Sequence, residues 1–441
     1  MTFDRQVPVT IIGGGFSGTI LAAHLARRGV PSVLVDGSKR AGKGVAYSTT
    51  EPAHLLNVRA EGMSAWAGEP GHFAERFAQE GGHPRGFAER RLFGRYLGEI
   101  LEDAVASGKV EVVDATARRA DRSGGEWVVE LDDGSALKSD ALVVAIGNQE
   151  PDTLRAFADA GPRFVANPWA AEARAAVADL VESGEDALLI GTGLTMVDLV
   201  LSLDAAGYRG RILALSRRGL APRAHADFDP APVERADVPG GSLRELWRWL
   251  RHRAGQVGWR AAIDSLRPYS HSLWQSLSLT EQRRFLRHAR PWWDVHRHRI
   301  APEVAATIAR MVGEGRLDVM GGRIISARED NGSLEVQFRR RGAKRPQTGR
   351  FAYAFNCTGP LHAIEHTKDP LLRSLLDAGS IRSDELGIGL EVDEHSRASG
   401  GERLWALGPL TKGRYWEIIA VPDIREQAAA VAEDIARELS E

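Results

Sequence analysis

Two stretches of this chain place glycines where a phosphate-bearing ligand needs them. Thr10 to Asp36 reads TIIGGGFSGTILAAHLARRGVPSVLVD, and Ala187 to Arg218 reads ALLIGTGLTMVDLVLSLDAAGYRGRILALSRR. In the first, Gly13, Gly15 and Gly18 stand in the order G-x-G-x-x-G between a β-branched run and an apolar helical pattern. The first glycine turns the chain, the second admits a pyrophosphate to the backbone, and the third lets helix and strand pack closely. The helix start, at Phe16 and Ser17, then offers free N–H groups and the positive end of its dipole to the phosphates. Asp36 closes the next strand and can accept hydrogen bonds from both hydroxyls of an unphosphorylated ribose.

In the second stretch Gly191 and Gly193 repeat the turn before Leu194 and Thr195, although Met196 fills the third glycine position. Its closing strand ends in Ser216, Arg217 and Arg218 instead of an acid. A hydroxyl and guanidinium groups can hold a 2′-phosphate that an acid would repel. The two motifs therefore predict one dinucleotide site for a free ribose and one for NADPH in preference to NADH; the competing reading makes Arg217 and Arg218 a solvated strand end.

The elements that must carry these turns are legible around them. Val9 to Ile12, the helical pattern from Phe16 to Arg28 and Val33 to Val35 form one βαβ unit, and Ala187 to Ser216 forms another. Val110 to Val113, Trp127 to Leu131 and Ala141 to Ile146 read as further strands, as do Leu317 to Met320, Ile324 to Ala327, Leu334 to Arg339, Ala352 to Asn356 and Leu404 to Leu407. The fold class is α/β, with two Rossmann-like dinucleotide-binding domains and a helical insertion. Between Ser242 and Arg299 lie six of the eleven tryptophans and twelve arginines against four acidic residues, a composition that marks this insertion as amphipathic helices. Its stretch RPWWDVHRHR supplies Trp293, His296, Arg297 and Arg299 as a candidate basic, aromatic wall for an anionic substrate or a nicotinamide nucleotide phosphate; the plainer reading buries the tryptophans and spreads the arginines over the surface.

Composition narrows the function classes. Hydrophobic residues make up 43% and the net charge is −2, which points to neither nucleic acid nor membrane. Cys357 is the single cysteine, so paired-thiol chemistry has no partner and a reducing, cytoplasmic setting is expected. The start MTFDRQVPVT lacks a signal-peptide pattern, no apolar run is long enough to span a bilayer, and no metal-ligand cluster is read.

The stretches GKGVAYSTTEPAHLLNV, GTGLTMVDLVLSL, ALSRRGLAP, NCTGP, LWALGPLTKGRYWE and AVPDIREQA make the chain resemble the bacterial FAD-NAD(P)-binding protein family, relatives of the class B flavin monooxygenases. The resemblance implies FAD at the first motif and NADPH at the second. It sets Gly44, Tyr47 and Asn57 along the flavin, Gly147, Thr358 and Gly359 at strand ends beside the FAD dinucleotide, and Gly408 near the isoalloxazine, with Gly147 readable also as a mere strand terminus. It implies an FAD-binding domain in residues 1–160 and 351–441, an NAD(P)-binding domain in 161–225 and 301–350, and the insertion in 226–300. The class B signature F-x-G-x-x-x-H-x-x-x-W is not matched by FVANPWA, and no cysteine lies between Gly44 and Asn57. The implied activity is an NADPH-using flavoprotein oxidoreductase, a monooxygenase drawing on molecular oxygen and a small-molecule substrate. The alternatives are a reductase serving a small acceptor or partner protein, and a redox sensor without turnover. Glu417 is the one candidate proton carrier, although a structural carboxylate is its plainer reading; no partner macromolecule or oligomeric state is indicated.

Overall fold

Both glycine turns sit at the carboxyl ends of buried parallel strands in a computed structural model, which describes residues 4–361 and 363–441. The first sheet contains β1 (Asp4–Ile12), β2 (Ser32–Val35), β3 (Val110–Val113), β4 (Ala117–Ser123), β5 (Glu126–Leu131) and β6 (Ala136–Val144) in the order β3-β2-β1-β6-β5-β4. β1 runs parallel to both β2 and β6, so the strand order reverses across it. All four residues of β2 are buried, which is why Val33 to Val35 read as an unbroken apolar run. The polar strand β4 has no counterpart in the sequence reading. It forms an antiparallel hairpin with β5 and keeps only Ala117 and Ala120 buried.

α1 (Phe16–Arg27) is buried from Phe16 through Leu25, as a helix covered on all sides must be. After it come α2 (Gly44–Tyr47), α3 (His72–Gln79) and α4 (Arg90–Ala106). His24 is 7% exposed on α1, with Trp66 edge-on at 5.0 Å. Burial first, then the charges of Arg28 and Arg27, push its pKa down to about 4. In the unfolded chain the imidazole titrates near 6.5, so between pH 6.5 and 4 the unfolded state takes up a proton that the folded state refuses. Stability is therefore expected to fall as pH falls through that window, by about 3 kcal/mol from this residue. Urea melts across a pH series should show this loss, and His24→Leu should flatten it.

The second sheet holds β7 (Phe164–Val165), β8 (Ala187–Ile190), β9 (Ile212–Ser216), β10 (Leu317–Asp330), β11 (Ser333–Arg340), β12 (Gln347–Phe351) and β13 (Tyr353–Asn356), ordered β12-β11-β10-β9-β8-β13-β7. α5 (Ala171–Ser183) and α6 (Leu194–Ala205) flank β8 in sequence. The insertion comprises α7 (Leu243–Val257), α8 (Trp259–Ser265), α9 (Ser270–Ser276), α10 (Leu279–Arg284) and α11 (Arg290–Arg297), and a bridge between Ala224 and Ile300 ties its two ends together. α12 (Pro302–Gly313) then leads into β10.

Two expectations change here. The two strands expected at Leu317–Met320 and Ile324–Ala327 are one long strand, β10, whose register with β11 shifts between Ile324 and Ser326. The resemblance implies that residues 351–361 belong to the FAD-binding part, but β13 pairs with β8 and β7 in the second sheet, where Ala354 and Phe355 fill its core. The free edge of β8 opposite β9 accounts for this: a short apolar strand there buries both of its faces.

Past α13 (Pro370–Asp377) the chain returns to the first sheet with β14 (Leu404–Ala406), parallel to β6, and ends in α14 (Val421–Glu438), which packs on α1. The two domains are joined by a bidentate ion pair, Arg90 Nη1 and Nη2 to the Asp198 carboxylate at 2.7 and 2.9 Å, while His54 Nε2 lies 2.9 Å from the Asp198 carbonyl. Both charged side chains are nearly buried, at 13% and 7% exposure, so neither can lose its partner without stranding a charge. No helix among the described residues is long and apolar enough to cross a membrane.

Candidate dinucleotide-binding sites

The first turn is set by backbone crowding. Gly13 has φ +107°, and a Cβ there would lie 2.5 Å from the Ala145 carbonyl oxygen and 2.8 Å from Ile146 Cα. The strand ends β1 and β6 thus meet at the turn itself. α1 begins at Gly15 without any side-chain cap and without an acidic residue in its first turn. Its leading N–H groups are left for a ligand, as a pyrophosphate requires. Asp36 accepts from Gly14 N at 2.9 Å through Oδ2 and from Ser38 N at 2.7 Å through Oδ1. Each oxygen retains a further lone pair for a ribose hydroxyl.

Of the other residues expected at this site, Gly44 and Gly408 meet the same helix start. Gly44 packs against Gly15, where a Cβ on Gly44 would come within 2.9 Å of Gly15 Cα. Gly408 packs against Ser17, its Cβ position 2.5 Å from Ser17 Oγ. Phe16 is buried, and Tyr47 meets Phe93 edge-on at 4.7 Å. The Asn57 carbonyl accepts from His225 Nε2 at 2.9 Å, joining this segment to the edge of the insertion. Gly147, at φ +72°, lines a cleft of about 10 Å³ beyond the ends of β6 and β14, together with Pro409, Leu410 and Lys412. Open α/β sheets bind ligands outside the strand ends at the point of order reversal, here between β1 and β6, and this small cleft lies on the β14 side of β6 from that point. Lys412 escaped the sequence reading although it stands in the quoted loop GPLTKG. Burial, reinforced by Arg290 and opposed by Asp384, brings its ammonium down to about 8.

The second turn repeats the design with different neighbours. Gly191 has φ +120°, and a Cβ would strike the Cys357 carbonyl at the end of β13. Thr358 and Gly359 therefore lie beside the second motif and not beside the first, where the resemblance sets them, because β13 pairs with β8. The Thr358 amide and hydroxyl both donate to Asn356 Oδ1, at 3.3 and 2.7 Å. α6 starts at Gly193 without a side-chain cap or a first-turn acid, so Leu194 and Thr195 present unclaimed N–H groups. Ser216 Oγ accepts from Gly219 N at 2.9 Å and lies 2.8 Å from Thr192 Oγ1. This leaves recognition of a phosphate mainly to the exposed Arg217 and to Arg218, whose enclosed Nη1 has no hydrogen-bond partner among the described residues.

The residues proposed for a substrate wall are divided. Trp293 Nε1 donates to Glu417 Oε1 at 2.5 Å and Arg297 Nε to Glu417 Oε2 at 3.2 Å. Arg299 pairs with Asp264 instead. His296 Nδ1 lies 2.7 Å from the Trp292 carbonyl, with its ring edge-on to Trp259. Each of the two guanidinium groups thus has a carboxylate, which leaves no spare positive charge in this wall for an anion. Glu417, whose side chain is 3% exposed, clamps α11 to the loop before α14. The residue sits at φ +71°, a conformation that a non-glycine residue holds only under constraint. Both of its oxygens accept N–H bonds, which fits a structural carboxylate better than a free proton carrier. Among the described residues no group of three or more His, Cys, Asp or Glu side chains is arranged to hold a metal.

A family model described as FAD-NAD(P)-binding matches residues 10–149, which span the first turn, Asp36 and Gly147. The fold as a whole is shared with solved flavoproteins. L-lysine 6-monooxygenase from Pseudomonas syringae superposes with a TM-score of 0.67 at 18% identity, covering 99% of this chain and 100% of that one. An ornithine N-hydroxylase from Kutzneria sp. 744, solved with reduced FAD, NADP+ and L-ornithine, gives 0.66 at 15% identity over 98% and 100% of the two chains. A bacillithiol disulfide reductase from Bacillus cereus gives 0.56 at 15% identity, again over 98% and 100%. A search of curated proteins finds no match to the sequence.

Proposed function

We propose that the chain is an FAD- and NADPH-dependent oxidoreductase whose reaction is the monooxygenation of a small molecule. The observation that carries this reading is the pair of uncapped helix starts at Gly15 and Gly193, one followed by a carboxylate at Asp36 and the other by Arg217 and Arg218. Two dinucleotides of different ribose chemistry then serve one chain, as hydride transfer between them demands. The flavin, when bound, supplies hydride acceptance and the activation of oxygen.

The protein's own tasks are to bind, orient and shield. Gly13 to Gly18 and Asp36 hold the first dinucleotide, while Gly191 to Thr195 and the two arginines hold the second. The oxygenase reading draws support from full-length similarity to the two amine hydroxylases. Paired-thiol exchange has no second cysteine, and Cys357 is buried in the second sheet with its thiol pKa raised by desolvation. A lone, buried cysteine also suits the cytoplasm. The alternative, a reductase passing electrons to a small acceptor, is favoured by similarity to the disulfide reductase.

Isotope-labelled dioxygen separates the two. Flavin-loaded protein turning over with NADPH and a panel of small amines and neutral compounds should yield a product carrying one labelled oxygen atom. NADPH oxidation that only ever returns hydrogen peroxide, or that proceeds equally with an artificial acceptor and no oxygen, would favour the reductase.

A further inference from the structure

One segment of the first domain reaches both dinucleotide turns. Its near end lies on the first turn, where Gly42 N donates to the Gly14 carbonyl at 2.9 Å and Gly44 packs against Gly15. Its far end lies on the helix that follows the second turn. The buried His54 sets Nε2 2.9 Å from the Asp198 carbonyl and 3.0 Å from Ser202 Oγ. A carbonyl only accepts, so Nε2 carries a proton and donates to α6. Asp198 and Ser202 stand four residues apart on one face of α6, just beyond its free N–H groups. Ala53 and Leu55, on either side of His54, pack against the core of the second domain.

The far end is itself braced. His54 Nδ1 lies 2.9 Å from Thr49 Oγ1, and the His54 carbonyl accepts from Arg90 N at 2.8 Å. Arg90 Nε donates to the Leu55 carbonyl at 3.1 Å, while its two terminal nitrogens hold the Asp198 carboxylate. Asp198 is thus gripped twice, by its main chain through His54 and by its side chain through Arg90. Domains within one chain move against each other by default unless their interface is large and apolar. Here buried polar bonds converge on a single helix, the one whose start is left free for the second dinucleotide.

We propose that residues 42–56 form a strut that holds α6 in one orientation to the first turn, with His54 as the positioning residue at its tip. His54 acts through Asp198 and Ser202. The kinetic consequence rests on the oxidoreductase reading: a misplacement of about 1 Å costs about 100-fold in rate where two reactants must meet.

Distances between the two domains test the strut without NADPH. Val105→Cys on α4 and Val312→Cys on α12 put spin labels at exposed positions, α4 packing on α1 and α12 on α6. Cys357 is buried and stays unlabelled. Pulsed electron spin resonance of the flavin-loaded protein should give one narrow distance. His54→Leu, which strands no charge, should broaden it or add a second; His54→Gln, whose amide N–H reaches the same carbonyl, should restore it. Arg90→Met together with Asp198→Leu removes the other grip, again without a stranded charge, and should also broaden the distance. In anaerobic mixing with NADPH, His54→Leu should lower the limiting rate of flavin reduction about tenfold and leave the half-saturating NADPH concentration unchanged, with His54→Gln recovering most of the rate. A distance that stays single and narrow in both loosened variants, no restoration by His54→Gln, or a weakened NADPH affinity with an unchanged limiting rate would each overturn the proposal. A wild-type flavin that NADPH leaves oxidised would refute the oxidoreductase reading alone, since the distances decide on the strut.

Discussion

Gly13→Ala is expected to purify without its flavin. The added methyl would sit 2.5 Å from the Ala145 carbonyl oxygen, 2.7 Å from its carbonyl carbon and 2.8 Å from Ile146 Cα. All three atoms are backbone, so no rotamer change can relieve the contact. The φ of +107° adds strain of about 1–3 kcal/mol for a residue with a side chain. Relief comes only by separating the ends of β1 and β6, whose neighbouring residues Ile11, Ile12, Val143 and Val144 lie in the core. The turn that presents α1's free N–H groups would be lost with that movement. Visible absorbance per mole of protein should fall by at least about tenfold, equivalent to about 1.4 kcal/mol of cofactor binding, together with a lower melting temperature. Variant protein with full flavin content would show that the turn tolerates a side chain and that the crowding is misjudged.

The second large effect concerns the choice between nicotinamide cofactors. Arg218 has an enclosed Nη1 without a partner, and Ser216 is already engaged by Gly219 and Thr192. A 2′-phosphate would satisfy that guanidinium through charge-assisted hydrogen bonds worth about 1.5–3 kcal/mol. Arg218→Ala should therefore lower kcat/KM for NADPH by about 10- to 100-fold while NADH changes little. The readout is initial-rate kinetics with each cofactor. Parallel losses with both cofactors would mean that the residue supports the strand end and does not read the phosphate.

What the sequence could disclose follows from how local each feature is. Both phosphate turns were readable because they depend on a few consecutive residues, and β2 and β8 because strands buried on both faces leave an uninterrupted apolar run. β4 was not readable, since Arg118, Arg119, Asp121 and Arg122 obscure the two alanines that face inward. The sheet membership of β13 was misassigned because Tyr353 to Asn356 would suit either sheet, and only its pairing with β8, some 170 residues earlier in the chain, decides between them. The same distance effect hid the clamp of Glu417 on Trp293 and Arg297, which joins residues 124 and 120 positions apart. Lys412 could have been noticed from its place in the loop after Gly408, but its lowered pKa arises from burial that no local pattern shows.

The central claim, that two dinucleotides meet in this chain so that hydride can pass from one to the other, has a direct measurement. Flavin-loaded protein is made anaerobic and mixed with NADPH while its visible flavin band is followed. The account predicts rapid bleaching of the band, with one equivalent of NADPH consumed per flavin and faster reduction by NADPH than by NADH. A band that persists under saturating NADPH would contradict it.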